Sequence, residues 1–302
     1  MPTTPLLDFT TLTFNDIKRI RPFLRHNPSR TCDMTVGGIF LWADYFHYRA
    51  AIDEDTLFIL GTTEDNTNRP AFSIPSGAMS LDRAINRLRK YCAVYHIPLV
   101  FSAVPQMYLE QLKALGATHI SELTDWADYL YDAKALATLS GKKLMKKRNH
   151  ANHFAIQYPD AEFLPLTSNN VTPILEFYNR QTLPANKSET AGFDREETII
   201  TLQHLDKFGF EGGVLSVPGI GVVAFTLGEL IDDTLYVHIE KMDHNINGSG
   251  ETVCRNFASM MLQKHPEIRY INREDASGDE GLRRAKLAYN PIDILPKYNV
   301  EF

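Results

Sequence analysis

The stretch Thr234–Leu262, TLYVHIEKMDHNINGSGETVCRNFASMML, decides the fold. From Thr234 to Glu240, β-branched and aromatic residues alternate with polar ones, which predicts a half-buried strand. Asn245–Glu251 then supplies Asn, Gly, Ser and Gly in quick succession, the composition of a tight turn. Beyond it Val253, Phe257, Met260 and Met261 recur at three- and four-residue steps, as the buried side of an amphipathic helix does. A strand therefore runs through a glycine-rich turn into a helix.

A helix N-terminus presents unpaired amides and the positive end of its dipole, and glycines let backbone close around an anion. Asn245, Asn247, Gly248, Ser249, Gly250 and Glu251 are accordingly candidate ligands for a phosphate. The turn is not a P-loop, because no Lys-Ser/Thr follows its second glycine, and it lacks the three-glycine dinucleotide spacing. The segment from Asn245 to Gly250, NINGSG, resembles the R/Q-x-x-G-x-G/A loop of the GNAT acyltransferase superfamily, with Asn245 where that pattern has Arg or Gln. The resemblance implies a grip on the pyrophosphate of coenzyme A. It also implies a general base on the preceding strand, where Glu240 stands. A tight turn joining a strand to a core helix is the plainer alternative.

The chain has 302 residues, a length that predicts about two domains, and 44% apolar, 11% aromatic and 23% charged residues, which excludes a disordered or fibrous chain. A net charge of −6 gives no global pull toward nucleic acid or acidic membranes. Cys32, Cys92 and Cys254 are scattered and have no metal-ligand spacing, so they are read as structural thiols in a reducing compartment. Neither the histidines nor the cysteines suggest a metal site. The N-terminus has no signal-peptide pattern, and the uncharged run Gly212–Gly228 is short for a membrane span and interrupted by Pro218, Gly219 and Gly221. It reads as a β-hairpin, and the protein as cytoplasmic without integral membrane association.

Working outward, Phe14–Arg25 is expected helical and Gly38–Tyr48, Tyr48–Ile52, Leu57–Gly61 and Ala71–Ile74 strand-like. Ser80–His96 is a helix whose apolar stripe is Leu81, Ala84, Ile85, Leu88, Tyr91 and Cys92. Leu99–Val104 is a buried strand. The second half repeats the order: helices at Ile174–Arg180 and Arg195–Phe208, strands at Gly213–Glu229 and Thr234–Glu240, then Glu251–Lys264 helical, Arg269–Asn272 extended and Gly281–Tyr289 helical. This predicts an α/β (α+β) chain of two mixed-sheet domains in tandem, 1–135 and 161–302, joined by a basic linker helix over 136–160.

In that linker, Lys142, Lys143, Lys146, Lys147 and Arg148 crowd cations into seven positions that repel one another unless an anion is near. A solvated connecting helix is the competing interpretation. Arg269–Tyr289, RYINREDASGDEGLRRAKLAY, gathers Arg273, Glu274, Arg283, Lys286 and Tyr289 past a strand's carboxyl end, where open sheets bind ligands. Ion pairing among these groups would be its structural alternative.

With these residues in view, ALATLSGKKLMKKRNHANHF, YVHIEKMD and INREDASGDEGLRRAKLAYNP resemble the bacterial family related to the C-terminal domain of phosphatidylglycerol lysyltransferase. The resemblance implies two GNAT-like folds in tandem, with the active cleft in the second. It also implies transfer of an acyl or aminoacyl group from acyl-CoA or aminoacyl-tRNA to an amine or hydroxyl acceptor. In that scheme Glu240 takes the acceptor's proton, Tyr289 protonates the leaving group, and His238 is a weaker catalytic candidate. The basic residues hold anionic substrate or tRNA. A non-catalytic GNAT-fold protein that binds a phosphorylated ligand is the alternative. The polar loop Thr182–Phe193 is expected over the cleft.

Overall fold

The computed structural model describes residues 6–181 and 189–302, so the expected cleft loop lies outside the described residues up to position 188, and Glu189 already opens a helix. The strands are β1 (Thr10–Thr11), β2 (Arg49–Asp53), β3 (Thr56–Thr63), β4 (Asn66–Phe72), β5 (Ser76–Gly77), β6 (Val100–Pro105), β7 (His119–Glu122) and β8 (Asp128–Asp132). They continue as β9 (Glu162–Pro165), β10 (Glu211–Val217), β11 (Gly221–Ile231), β12 (Thr234–Met242), β13 (Tyr270–Asn272), β14 (Asp293–Leu295) and β15 (Lys297–Glu301). The helices are α1 (Ile17–Ile20), α2 (Val36–Phe40), α3 (Leu81–Tyr95), α4 (Leu109–Ala114), α5 (Ala133–Thr138) and α6 (Met145–Gln157). After them come α7 (Val171–Arg180), α8 (Glu189–Gln203), α9 (Leu205–Phe208), α10 (Ser249–Lys264) and α11 (Glu280–Leu287).

Two compact units result, and each is built on one mixed sheet, as expected. The first comprises Met1–Ala127 with Leu295–Phe302, and the second Asp128–Ile294. The expected boundaries are corrected on two counts. The last strand, β15, inserts between β6 and β7 of the first unit's sheet, and α6 packs inside the second unit instead of standing as a linker. Both follow from burial: Val300 belongs to the first core, while Ala151 and Phe154 of α6 are fully enclosed in the second.

In the first unit the order is β1-β2-β3-β4-β6-β15-β7, with β4 and β6 parallel at Phe72↔Phe101 and the stripe of α3 covering the sheet. The expected strand over Gly38–Tyr48 is instead the helix α2 and a turn. Thr35 caps that helix by accepting from the Gly38 amide, and a Cβ at Gly38 would lie 2.0 Å from the Cys32 carbonyl oxygen.

The second unit's sheet runs β14-β8-β13-β12-β11-β10-β9, and β12 pairs with β13 in parallel. Leu235 and Val237 of β12 share a core with Phe257, Ala258 and Met261 of α10 and with Ala133 and Leu136 of α5. Among the described residues no helix is long and apolar enough to cross a membrane.

Candidate active site

β12 and β13 pair only at Thr234↔Tyr270, Leu235↔Ile271 and Tyr236↔Asn272, after which no further ladder joins them. Side chains from both strands meet past that point. A bulge shapes what they present: Gly228 pairs with Val237 and Leu227 with Ile239, which leaves His238 as the extra residue of β12. Simple alternation would aim His238 and Glu240 the same way. The bulge instead leaves His238 against Phe210 and Glu229 and turns Glu240 toward Arg273 and Cys254.

Arg273, just past β13, donates from Nη2 to Glu240 Oε1 at 2.7 Å, and the two side chains are only 13% and 10% exposed. Its guanidinium lies 4.5 Å from the Tyr289 ring centroid and 5.8 Å from that of Tyr131. Burial works against the charge, but Glu240 outweighs it and holds the Arg273 pKa well above its ordinary value. The other terminal nitrogen, Nη1, is buried and has no hydrogen-bond acceptor among the described residues. The same is true of the hydroxyl of Thr226, the residue paired directly opposite Glu240 on β11. Buried donors left unmatched cost free energy, and here two of them lie on the side of one carboxylate.

The Tyr289 ring also receives Lys147 Nζ at 4.3 Å from its centroid. Burial pushes the Tyr289 phenol well above its ordinary pKa, so it keeps its proton at neutral pH. Lys147 in turn donates to Glu251 Oε1 at 3.0 Å, and His150 Nδ1 lies 3.4 Å from the same oxygen. Burial opposes the Glu251 charge, yet Lys147 outweighs it and lowers the carboxyl's pKa. Glu240, Arg273, Tyr289, Lys147 and Glu251, expected on separate grounds, thus form one chain of contacts drawn from β12, the turn after β13, the segment after α11, α6 and α10.

The glycine turn builds something other than the expected phosphate cradle. Gly248, the N-cap of α10, has φ +83°, and a Cβ there would sit 2.4 Å from the His150 carbonyl oxygen and 2.9 Å from Phe154 Cβ. A Cβ at Gly250 would meet Met242 Sδ at 2.5 Å. These glycines therefore admit α6 and β12, and Gly248, Ser249 and Gly250 are buried beneath them. Ser249 spends its amide on Ile246 O and its hydroxyl on Asp243 O, and the first turn already carries the Glu251 carboxylate. Asn245 donates to Asp243 Oδ1 from both its amide and its side chain, and Asn247 is exposed.

The basic cluster also divides. Lys142 and Lys143 sit in the turn before α6, so they do not continue a helical face with Lys146 and Lys147. Arg148 closes that turn by donating to Leu139 O at 2.7 Å and Gly141 O at 3.3 Å. Lys142, Lys143 and Lys146 remain in solvent. Of the later residues, Arg283 is exposed beside Glu280, whereas Lys286 is buried and donates from Nζ to the carbonyls of Arg273 and Asp275. Lys286 is a backbone clamp and no anion grip. His238 is enclosed, with Nδ1 2.7 Å from Glu274 Oε1 and Nε2 3.0 Å from Glu229 Oε1, so both ring nitrogens are committed to carboxylates.

Burial pushes the Cys254 thiol up to about 12 and the Cys92 thiol up to about 11, as structural cysteines require. A cavity in the first unit, lined by Asn27, Thr31, Ser73, Ser102 and Tyr108 among others, holds none of the expected site residues. Thr226 and Tyr131 went unread in the sequence, because their roles come from strand pairing and helix packing that no local pattern encodes.

A family model described as "Phosphatidylglycerol lysyltransferase, C-terminal" matches residues 25–301. The chain belongs to this family. A conserved protein of unknown function from Bacteroides thetaiotaomicron VPI-5482 has a similar crystal structure, 30% identical over 98% of this chain and 100% of that one, with a TM-score of 0.88. The fold is shared more distantly with the C-terminal domain of a putative lysylphosphatidylglycerol synthetase from Agrobacterium fabrum. There the identity is 12% over 95% of this chain and 91% of that one, and the TM-score 0.65. It is shared likewise with L-PGS from Bacillus licheniformis, 13% identical over 94% and 91%, with a TM-score of 0.63.

Proposed function

We propose that the second unit transfers an aminoacyl group from a tRNA-borne ester to an amine or hydroxyl acceptor. The observation that carries this reading is the Arg273 guanidinium, fixed by Glu240 and Tyr289, with Nη1 buried and unmatched. A donor of that kind polarises the ester carbonyl and meets the oxyanion that forms when the acceptor attacks. The Thr226 hydroxyl, opposite Glu240, is a second donor to the same oxygen.

Glu240, expected as the base, serves here to orient Arg273. The acceptor's lone pair forms the new bond to the carbonyl carbon, and the bond to the ribose oxygen breaks. Tyr289 gives its phenolic proton to that oxygen and regains one from the acceptor. Aminoacyl-tRNA is favoured over acyl-CoA because α10 starts crowded against α6 and carries the Glu251 carboxylate in its first turn, which repels a pyrophosphate there. The exposed Lys142, Lys143 and Lys146 meet a polyanion at the neighbouring helix start.

A donor screen tests the reading: the full chain is incubated with mixed charged tRNAs or with a panel of coenzyme A thioesters, and label entering amine and hydroxyl acceptors is followed. Transfer from tRNA alone is expected. Transfer from a thioester alone would contradict the donor assignment, and transfer from neither would return the chain to a binding role.

A further inference from the structure

The turn that presents Arg273 is held from several sides. Glu274 adopts a left-handed conformation at φ +58°, which a non-glycine residue keeps only where its surroundings enforce it. Its amide donates to Asn272 Oδ1 at 2.6 Å, and Asn272 Nδ2 donates to Asp128 Oδ2 at 2.8 Å. The Arg273 amide donates to Tyr129 O at 3.1 Å, and Lys286 clamps the carbonyls on either side of Glu274. The Glu274 side chain is tied to β12 through His238, whose other nitrogen reaches Glu229 on β11.

We infer that His238, clamped between Glu274 and Glu229, is a positioning residue that holds the 272–275 turn in the shape presenting Arg273. The inference rests on the reading that Arg273 receives the acyl carbonyl. Each ring nitrogen faces a carboxylate, so only the doubly protonated imidazolium donates at both ends. Burial pushes the His238 pKa down, but hydrogen bonds to Glu229 and Glu274 outweigh it and raise it to about 9. The charged and titratable groups around this pair are Glu229 on β11, Glu274 after β13, Tyr236 and Lys241 on its own strand, Asp194 on α8, Tyr178 on α7 and Lys286 on α11. Losing one proton sets a lone pair against Glu274 or Glu229, which breaks the tie between β11 and the turn, and the turn relaxes.

Two readouts test this on the full chain, one with substrate and one without. In wild type, kcat/KM for transfer is expected to fall on an alkaline limb near pH 9. His238→Gln should lose at least tenfold in kcat at pH 7 with little change in KM, and its alkaline limb should vanish. Glu229→Gln, which keeps the histidine and a hydrogen-bond acceptor, should move the limb to lower pH. Without substrate, the side-chain NMR signals of Arg273 should shift through the same pH range in wild type and stay constant in His238→Gln. An unmoved limb in both variants, or Arg273 signals indifferent to pH in wild type, would overturn the inference. If wild type transfers nothing, the proposed function fails, and the Arg273 signals still decide the role of His238.

Discussion

Arg273 gives one terminal nitrogen to Glu240 at 2.7 Å and keeps the other, buried, without an acceptor among the described residues. A carboxylate and a guanidinium in this setting are stable only together, because each removes the other's uncompensated buried charge. Glu240→Ala is therefore expected to destabilise the protein by about 3 kcal/mol, and Arg273→Met by a similar amount, while the double variant recovers part of the loss. Urea unfolding of the four proteins measures the coupling, and additive losses would show that the pair contributes nothing.

Gly248 is required by close approach as well as by its backbone angle. Gly248→Ala places a methyl group 2.4 Å from the His150 carbonyl oxygen at φ +83°, so a loss of roughly 2 kcal/mol or more is expected. Gly219→Ala, also at positive φ but with nothing within 4 Å, isolates the conformational part, near 1 kcal/mol. Thermal denaturation of both distinguishes the contributions, and equal shifts would remove the packing argument.

His238 links stability to pH with a definite sign. Its folded pKa, about 9, lies above the unfolded value of 6.5, so its contribution is complete below pH 6.5 and disappears as pH rises through 9. The shift corresponds to about 3 kcal/mol. Wild type should exceed His238→Gln in stability at pH 6, and the gap should close by about pH 10. A gap that is constant from pH 6 to 10 would mean the imidazole is not charged in the native state.

Neutralising Lys142, Lys143 and Lys146 to Ser should weaken tRNA binding and reduce the slope of log affinity against log salt by about 2. These side chains are exposed, so unfolding stability should stay within about 0.5 kcal/mol of wild type. Filter binding across a salt series reads the slope. An unchanged slope would place the tRNA contact elsewhere.

Hydrophobic period carried much of the architecture. The stripe of α3, the strand–turn–helix from Thr234 and the later order of elements were legible because each buries one face at a regular step. Four things were not. The apolar run after Val36 fits a helix or a buried strand equally, and the Thr35 cap decided it. The return of β15 to the first sheet is a long-range pairing without a local signal. The bulge at His238 changes which way Glu240 points, and strand periodicity gave no sign of its pairing with Arg273. Glycines at Gly248 and Gly250 looked like an anion loop because close helix packing and close ligand approach call for the same residue.

The unmatched arm of Arg273 is proposed to receive the carbonyl oxygen of the group transferred. The most direct measurement is single-turnover transfer from charged tRNA by wild type and by Arg273→Lys, which keeps a positive charge but loses the forked geometry. A rate at least about 100-fold lower is expected in the variant, with tRNA affinity unchanged. An Arg273→Lys protein that transfers at the wild-type rate would contradict it.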